Sequence, residues 1–280
     1  MWILGLIVGI IVLLVYLTVL FLNRFVNDQG VAKFEKTQMY RDIKKVLVVL
    51  AHPDDEVMIA GSLKKFKKNG AEVHLLYFTH GEDGPTSGVV EKAELGPERA
   101  KELAMVKNVL EADSLTILDF PDRYLNTVAK ESLEQALINQ LETIKPDTVI
   151  SFDTTIGLYG NDDHVCVGEI VHSLLPKHDD VKNLLVMTLP QSMINLATRI
   201  STTFKDRYHA ENGGLPAPDF SMSISRFGKD KKAVVAAHRT QAVVLNDVQP
   251  LWNKIPYWLY YRIFAKEYFQ VINLSKELDS

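Results

Sequence analysis

The most restrictive feature of this sequence is the run at residues 46–56, VLVVLAHPDDE. Its uninterrupted apolar part is typical of a strand that is buried on both faces of a sheet. The strand leads directly into a histidine, a proline and three adjacent carboxylates, which repel one another and raise one another's pKa. Packing alone gives no reason for this charge at the end of a buried strand, so we expect the fold to bring a cation to this point.

Short apolar runs alternate with longer helical patterns over the middle of the chain. Strands are predicted at residues 46–50, 72–79, 114–119, 148–152 and 183–189. Helices are predicted at residues 57–68, 97–111, 129–144, 164–174 and about 229–238. This alternation predicts an α/β fold, with a Rossmann-like, mostly parallel sheet flanked by helices. Ligands of such sheets bind beyond the carboxyl ends of the strands, where the HPDDE run lies.

The amino-terminal segment differs from the rest of the chain. Residues 2–22 carry no charged side chain, and as a helix they would span about 30 Å, one bilayer core. We therefore expect a transmembrane anchor at residues 1–22, a polar linker at 23–43 and a globular domain at 44–280. Basic residues follow the apolar segment, so the positive-inside rule predicts a single-pass membrane protein with its domain on the cytoplasmic side. The alternative is a buried core helix.

Composition narrows the choice of partners and metal ligands. The formal net charge of −4 gives no sign of a nucleic-acid partner. Cys166 is the single cysteine, so a metal would have to be held by His, Asp or Glu side chains rather than by several thiolates.

Two acidic segments, each with a histidine, follow predicted strands. His52 and a neighbouring aspartate are suitable ligands for a divalent cation, and another aspartate could accept a proton from water. His164, in the segment GNDDHVCVGEIV at residues 160–171, offers the further ligand that a catalytic zinc site requires. The alternative is that the aspartates only cap the helices that follow them.

These motifs resemble the PIG-L/LmbE family of zinc-dependent N-deacetylases. Members of this family remove acetyl groups from N-acetylglucosamine-containing substrates, including the glycolipid precursor of GPI anchors. The resemblance rests on AHPDDE, on the acid–histidine pair at a helix start, and on two longer segments. These are LGPERAKELAMVKNVLEADSLTILDFPD at residues 95–122 and KKAVVAAHRTQ at residues 231–241. It covers about residues 44–245.

The resemblance implies a role for particular side chains. It assigns a zinc ion to three ligands: His52, Asp55 and His164. It assigns general-base catalysis to Asp54, and it places three further residues at the substrate: Arg99, Asp122 and His238. Two alternatives stay open, since Arg99 could form a salt bridge within its helix and His238 could be an ordinary helix histidine.

Asn161 departs from the family pattern, because a histidine commonly stands there in an H-P-D-H sequence. The Asn161 amide can donate a hydrogen bond to an oxyanion, but it cannot deliver a proton as an imidazolium does. The predicted function is therefore a metal-dependent amide hydrolase that removes an N-acetyl group. The alternative is a catalytically weak or inactive metal-binding or sugar-binding member of the same fold. The same ligands would also serve iron or cobalt.

The expected partner is an N-acetylated amino sugar or a glycolipid that carries one. The anchor at residues 2–22 suggests a substrate at the membrane. Residues 251–264, LWNKIPYWLYYRIF, mix aromatic and cationic side chains, which suits a bilayer interface. An aromatic cap over the core of the domain is the alternative. A nucleotide-binding α/β protein is not favoured, because HPDDE stands where a Gly-rich phosphate loop would be needed.

Overall fold

A computed structural model of the chain describes residues 2–209, 211 and 213–274. Within this part, one sheet has the strand order β1-β7-β8-β6-β5-β2-β3-β4. The strands are β1 (Ala32–Lys33), β2 (Lys45–Leu50), β3 (Glu72–Thr79), β4 (Ser114–Phe120), β5 (Thr148–Ser151), β6 (Asn183–Thr188), β7 (Phe220–Ser223) and β8 (Lys266–Asn273). Only the pairs that β8 makes with β6 and β7 are antiparallel among these strands. The predicted α/β fold with a mostly parallel sheet is confirmed.

Helices connect the strands and flank the sheet. They are α1 (Trp2–Val26), α2 (Gln38–Asp42), α3 (Ala60–Lys68), α4 (Leu95–Leu110), α5 (Lys130–Ile144), α6 (Gly157–Gly160), α7 (Asp162–Leu174), α8 (Gln191–Ile200), α9 (Thr202–Arg207), α10 (Gly228–Ala237), α11 (Ala242–Val248) and α12 (Tyr257–Ile263). The helix predicted from residue 57 begins later, at Ala60, because a 3-10 turn at Asp55–Met58 precedes it. Asp55 and Glu56 of the HPDDE run therefore lie in this turn and not in the helix α3.

The apolar run that opened the sequence argument forms the strand β2, which lies between β3 and β5. Its side chains from Val46 to Leu50 are all fully buried. A central parallel strand has both faces covered, so no polar side chain alternates with the apolar ones. The run therefore identified the middle of the sheet, and the HPDDE residues begin where this strand ends.

The chain after residue 190 contributes much more structure than its sequence pattern indicated. β8 lies inside the sheet between β6 and β7, and this part of the chain also forms the helices α8, α9, α11 and α12. In β8 the buried carboxylate of Glu267 interrupts the apolar pattern, and it accepts hydrogen bonds from the backbone N–H groups of Gly61 and Ser62. The strand is stabilised by partners about 200 residues away in sequence, so a local pattern could not reveal it.

Residues 23–43, for which we expected a polar linker, are folded against the sheet. β1 pairs with β7, and Phe34, Tyr40 and Ile43 are buried. The rings of Phe34 and Tyr40 also contact the ring of Phe66 on α3. Three large apolar side chains spread through a polar segment are enough to hold it on the domain, although they show no helical or strand period.

The apolar helix α1 is long and apolar enough to cross a membrane, by length and composition alone, and its apolar window is not buried in the protein. Its carboxyl end and the following Asn27 are attached to the domain by hydrogen bonds. Asn23 Nδ2 donates to the carbonyl of Arg262 at 2.7 Å, and Asn27 Nδ2 donates to that of Ile263 at 2.6 Å. Ser192 Oγ donates to the carbonyl of Val26 at 2.7 Å. The end of α1 is therefore held against α12 and α8.

The aromatic segment at residues 251–264 divides its side chains between core and surface. Tyr260 and Tyr261 of α12 are buried and form a cluster with Ile224. Tyr257 and Trp258 of the same helix are exposed. The second half of α12 is thus an aromatic cap over the core, and its first two residues present aromatic rings to the surroundings.

Candidate metal and catalytic site

The candidate site forms where the neighbouring strands β2 and β5 end. His52 and Asp55 follow β2, and His164 lies in the first turn of α7, which follows β5. His52 Nδ1 is 3.2 Å from His164 Nε2, and the carboxylate of Asp55 is 3.0 Å from His164 Nε2. All three side chains are buried. The structure therefore brings together the three predicted ligands, because their strands are adjacent in the sheet.

These three side chains could hold a metal ion. They offer two imidazole nitrogens and one carboxylate oxygen, all within 4.8 Å of one another. The second ring nitrogen of each histidine already has a partner, since His52 Nε2 faces carboxylates and His164 Nδ1 faces the carbonyl of Gly157 at 3.0 Å. Metal-binding histidines are commonly oriented in this way through their outer nitrogen. The donor set and its surroundings therefore fit a divalent metal.

Two carboxylates orient His52 from behind. Asp122 and Asp163 each approach His52 Nε2 to 3.1 Å. Burial lowers the pKa of His52, but the hydrogen bonds with Asp122 and Asp163 outweigh it and raise the pKa to about 10. Asp163 also accepts hydrogen bonds from the backbone N–H groups of Arg123 and Leu125, and Asp122 accepts one from that of Asp83. Both carboxylates are thus fixed in place by backbone donors, so they can orient the ring of His52.

Asp163 is a residue for which the sequence suggested at most a helix cap. The side chain that caps α7 is Asn161, whose Oδ1 accepts a hydrogen bond from the backbone N–H of Asp163 at 3.0 Å. Asp163 is buried instead and faces His52. Its position beside His164 in the sequence was the available signal. The cap leaves the Nδ2 of Asn161 as a hydrogen-bond donor at the edge of the polar cavity described below.

Asp54 occupies an unusual backbone conformation beside the three ligands. Its φ of 110° lies in a region that strains a non-glycine residue, which is a frequent property of functional positions. Its carboxylate accepts a hydrogen bond from Arg99 Nη2 at 2.8 Å. Burial is the main cause that raises the pKa of Asp54, to about 6, and Arg99 opposes the shift while Asp55 reinforces it. A carboxylate with this pKa can exchange a proton near neutral pH.

Arg99 is held by the chain around Asp54 rather than by its own helix. It is 2% exposed, and its guanidinium donates to the carbonyls of Pro53 and Gly81 as well as to Asp54. A Cβ at Gly81, where φ is +65°, would lie 2.3 Å from Arg99 Nη1. Glycine is required there so that the guanidinium can approach this closely. The alternative, a salt bridge of Arg99 within its own helix, is not seen among the described residues, and the nearby Glu98 pairs with Lys101 and Arg239.

His238 lies behind the site and is 1% exposed. Its Nε2 contacts Glu56 Oε1 at 2.5 Å. The other oxygen of Glu56 accepts hydrogen bonds from the hydroxyl of Tyr77 at 2.8 Å and from the backbone N–H of Asp54 at 3.2 Å. His238 therefore supports the backbone of Asp54 through Glu56. The sequence analysis had assigned no role to Glu56. Because its carboxylate is fully buried, it needs hydrogen-bond partners such as these.

A polar cavity of about 350 Å³ adjoins the site. Its walls include His52, Asp54, Arg99, Asp122, Asn161 and Arg207. Of the residues predicted to contact substrate, Arg99 and Asp122 line this cavity. Hydroxyl and amide groups of a sugar could hydrogen-bond to such a wall.

The sequence of this chain is similar to those of known deacetylases. Residues 47–175 match the model of the PIG-L family, described as GlcNAc-PI de-N-acetylase. Diacetylchitobiose deacetylase from Thermococcus kodakarensis is 30% identical over 135 residues, which is 47% of this chain and about half (49%) of that protein. The 1D-myo-inositol 2-acetamido-2-deoxy-alpha-D-glucopyranoside deacetylase of Nakamurella multipartita is 28% identical over 265 residues, 81% of this chain and 89% of that protein.

Among solved structures, N,N'-diacetylchitobiose deacetylase from Pyrococcus horikoshii superimposes with a TM-score of 0.60. The alignment covers 89% of this chain and 97% of that one, at 20% sequence identity. At this identity the likeness concerns the fold. The family match shows that residues 47–175 form a PIG-L family domain, and the superposition shows that the chain has the LmbE-like fold.

Proposed function

We propose that this chain is a zinc-dependent N-deacetylase, an amide hydrolase that removes the acetyl group from an N-acetylglucosamine-type amino sugar. The observation that carries the proposal is the convergence of His52, Asp55 and His164 beside the carboxylate of Asp54, at the edge of a polar cavity. The relatives described above are named as deacetylases of N-acetylated amino sugars, which supports the same reaction class.

The proposed roles follow from the positions of the side chains. His52, Asp55 and His164 would hold zinc, which when bound polarises a carbonyl and makes water more acidic. Asp54 accepts the proton of the attacking water and then passes it to the leaving amine. This double role suits a carboxylate whose pKa lies close to neutrality.

Two other side chains complete the proposed machinery. Arg99 positions Asp54 through its hydrogen bond and extends into the polar cavity that would receive the sugar. The Nδ2 of Asn161 donates to the oxygen of the carbonyl as negative charge develops on it. Asp122 holds His52 and forms part of the wall that faces the sugar.

The proposal includes a membrane location. The helix α1 would anchor the chain as a single-pass protein with its domain on the cytoplasmic side, and the amino sugar would belong to a glycolipid. The exposed apolar surface of α1 supports the anchor. Fractionation of cells that express the full chain, followed by protease treatment of right-side-out and inverted vesicles, tests the anchor and its orientation.

The division of roles is tested with two variants of the full chain. Asp54→Asn should retain the metal and lose turnover by about 10²- to 10⁴-fold, because only the proton acceptor is removed. His164→Ala should lose the metal. Metal content is measured on the purified proteins, and turnover is measured as free amine released from N-acetylglucosamine derivatives, with and without a chelator.

Two results would count against the proposal. If Asp54→Asn purifies without metal, Asp54 is a ligand and the base lies elsewhere. If the metal-loaded wild type releases no amine, the chain is a metal-binding or sugar-binding protein without turnover. Asn161 in place of the family's histidine is the observation that favours this second function.

A further inference from the structure

An apolar cavity of about 140 Å³ also reaches the candidate site. Asp54 and Asp55 are among the residues that line it. Most of its wall is apolar and includes residues of the four helices α8, α9, α11 and α12; examples are Met193, Leu196, Ala197, Phe204, Val248 and Tyr260. The catalytic role proposed above uses none of these residues.

The apolar cavity and the polar cavity meet at the candidate base. Asp54, Tyr159 and Val244 line both of them. An amide carbon placed beside Asp54 therefore has a polar cavity available for one substituent and an apolar cavity for the other. The amino sugar matches the polar cavity, where Arg99 and Arg207 lie. The apolar cavity remains for the acyl group.

We propose that this chain also accepts an acyl group longer than acetyl, a hydrocarbon chain of about six carbons on the nitrogen of the amino sugar, and binds it more tightly. The inference rests on the proposed function and refines its substrate. An apolar cavity of about 150 Å³ in another protein holds benzene, six carbon atoms. A single acetyl methyl would leave most of the 140 Å³ cavity unfilled. The reaction stays a hydrolysis: water adds to the acyl carbon, the C–N bond breaks, the amine takes the proton and a fatty acid is released.

A lipid tail attached to the sugar is the other hydrocarbon that a membrane-anchored chain would meet. The cavity wall includes residues of α8 and α12, the helices that hold the end of α1. A tail attached to the sugar would, however, start from the polar cavity. The apolar cavity instead is lined by Asp54 and Asp55, beside which the scissile bond would lie. This continuity favours the acyl chain.

The first test measures binding without turnover. The full chain in lipid nanodiscs is treated with chelator and titrated calorimetrically with N-acetyl-, N-butanoyl- and N-hexanoyl-glucosamine. Burial of each methylene should strengthen binding about fourfold, so the hexanoyl compound, with four more methylenes, should bind roughly 250-fold more tightly than the acetyl compound. Equal affinities along the series would overturn the inference.

The second test fills the cavity from α8. Ala197→Phe places a ring in the cavity, while Asn195→Phe makes a matched change at an exposed position of the same helix. Ala197→Phe should abolish the advantage of the hexanoyl compound and leave binding of the acetyl compound within about twofold of the wild type. Asn195→Phe should change neither. If Ala197→Phe does not fold, the wild-type series still decides the matter.

The results separate this inference from the proposed function. Tight hexanoyl binding without amine release by the metal-loaded protein would refute the deacylase activity and retain the chain-binding cavity. Amine release that is equally fast for all chain lengths, with equal affinities, would retain the activity and refute the cavity's role. If Ala197→Phe weakens only a lipid-linked N-acetyl sugar, the occupant is the lipid tail and the inference is wrong.

Discussion

Replacing Asp163 by alanine is expected to weaken metal binding, although Asp163 is not a proposed ligand. Its carboxylate lies 3.1 Å from His52 Nε2, on the side of the ring away from His164. Without it, the imidazole is held from behind by Asp122 alone, and the ring can turn away from the direction in which it would bind a metal.

The magnitude follows from the partners that remain. Loss of a residue that orients a metal ligand typically costs about 10- to 100-fold in metal affinity. Because Asp122 keeps an equivalent contact at 3.1 Å, we expect the lower end, about tenfold or roughly 1.4 kcal/mol. The variant also leaves the backbone N–H groups of Arg123 and Leu125 without their acceptor. Unfolding of the metal-free protein should therefore become easier by about 2–4 kcal/mol.

The assay is competition for zinc between the chelator-stripped full chain and a chromogenic chelator at constant pH. Asp162→Ala is the matched control, because Asp162 is exposed, precedes Asp163 directly and lies in the same first turn of α7. Both variants remove one negative charge from this turn. The control should bind zinc within about twofold of the wild type, since its long-range charge effect is screened by solvent and salt.

Two results would refute the reasoning. If both variants weaken zinc binding equally, the effect is one of net charge and not of His52 orientation. If Asp163→Ala binds zinc as tightly as the wild type while its stability falls, the carboxylate supports the neighbouring loop and does not tune the metal site.

Three further predictions concern stability and activity. Gly81→Ala should destabilise the fold by about 1–3 kcal/mol and lower amine release, because φ is +65° and the new Cβ meets a guanidinium. Gly70→Ala is the control, since Gly70 also has a positive φ but has open space around it. It should cost only about 1 kcal/mol of stability and keep activity. Lys231→Met should cost about 3–5 kcal/mol in denaturant unfolding, since it leaves Glu267 buried without its cation, and adding Glu267→Gln should recover part of it. Burial raises the pKa of Asp247, but hydrogen bonds to its carboxylate outweigh this effect and lower the pKa to about 2. The stability that the Asp247 carboxylate adds is therefore present above about pH 4 and lost as the pH falls towards 2. Unfolding free energies of Asp247→Asn between pH 5 and 2.5 should lack this dependence.

The sequence by itself determined the class of fold and the composition of the candidate metal site. An apolar run such as β2 is a local signal, since each of its residues is buried for the same reason. His52, a neighbouring aspartate and His164 were predicted as ligands because their chemistry suits a metal and their strands end at the same edge of a parallel sheet. The resemblance to the PIG-L/LmbE family singled out Asp55 as the aspartate. The structure brings their ligand atoms within 4.8 Å of one another.

Only the tertiary structure decided which carboxylates support the site and which segments complete the sheet. Asp163 and Glu56 stand in acidic runs whose members look alike in sequence, and each takes its role from a partner brought close by folding, His52 and His238. The strand β8 holds a buried carboxylate because Lys231 and two backbone N–H groups meet it there. The apolar cavity exists because four helices that are separate in sequence converge beside Asp54. A contact between distant segments depends on both of them at once, so no local pattern contains it.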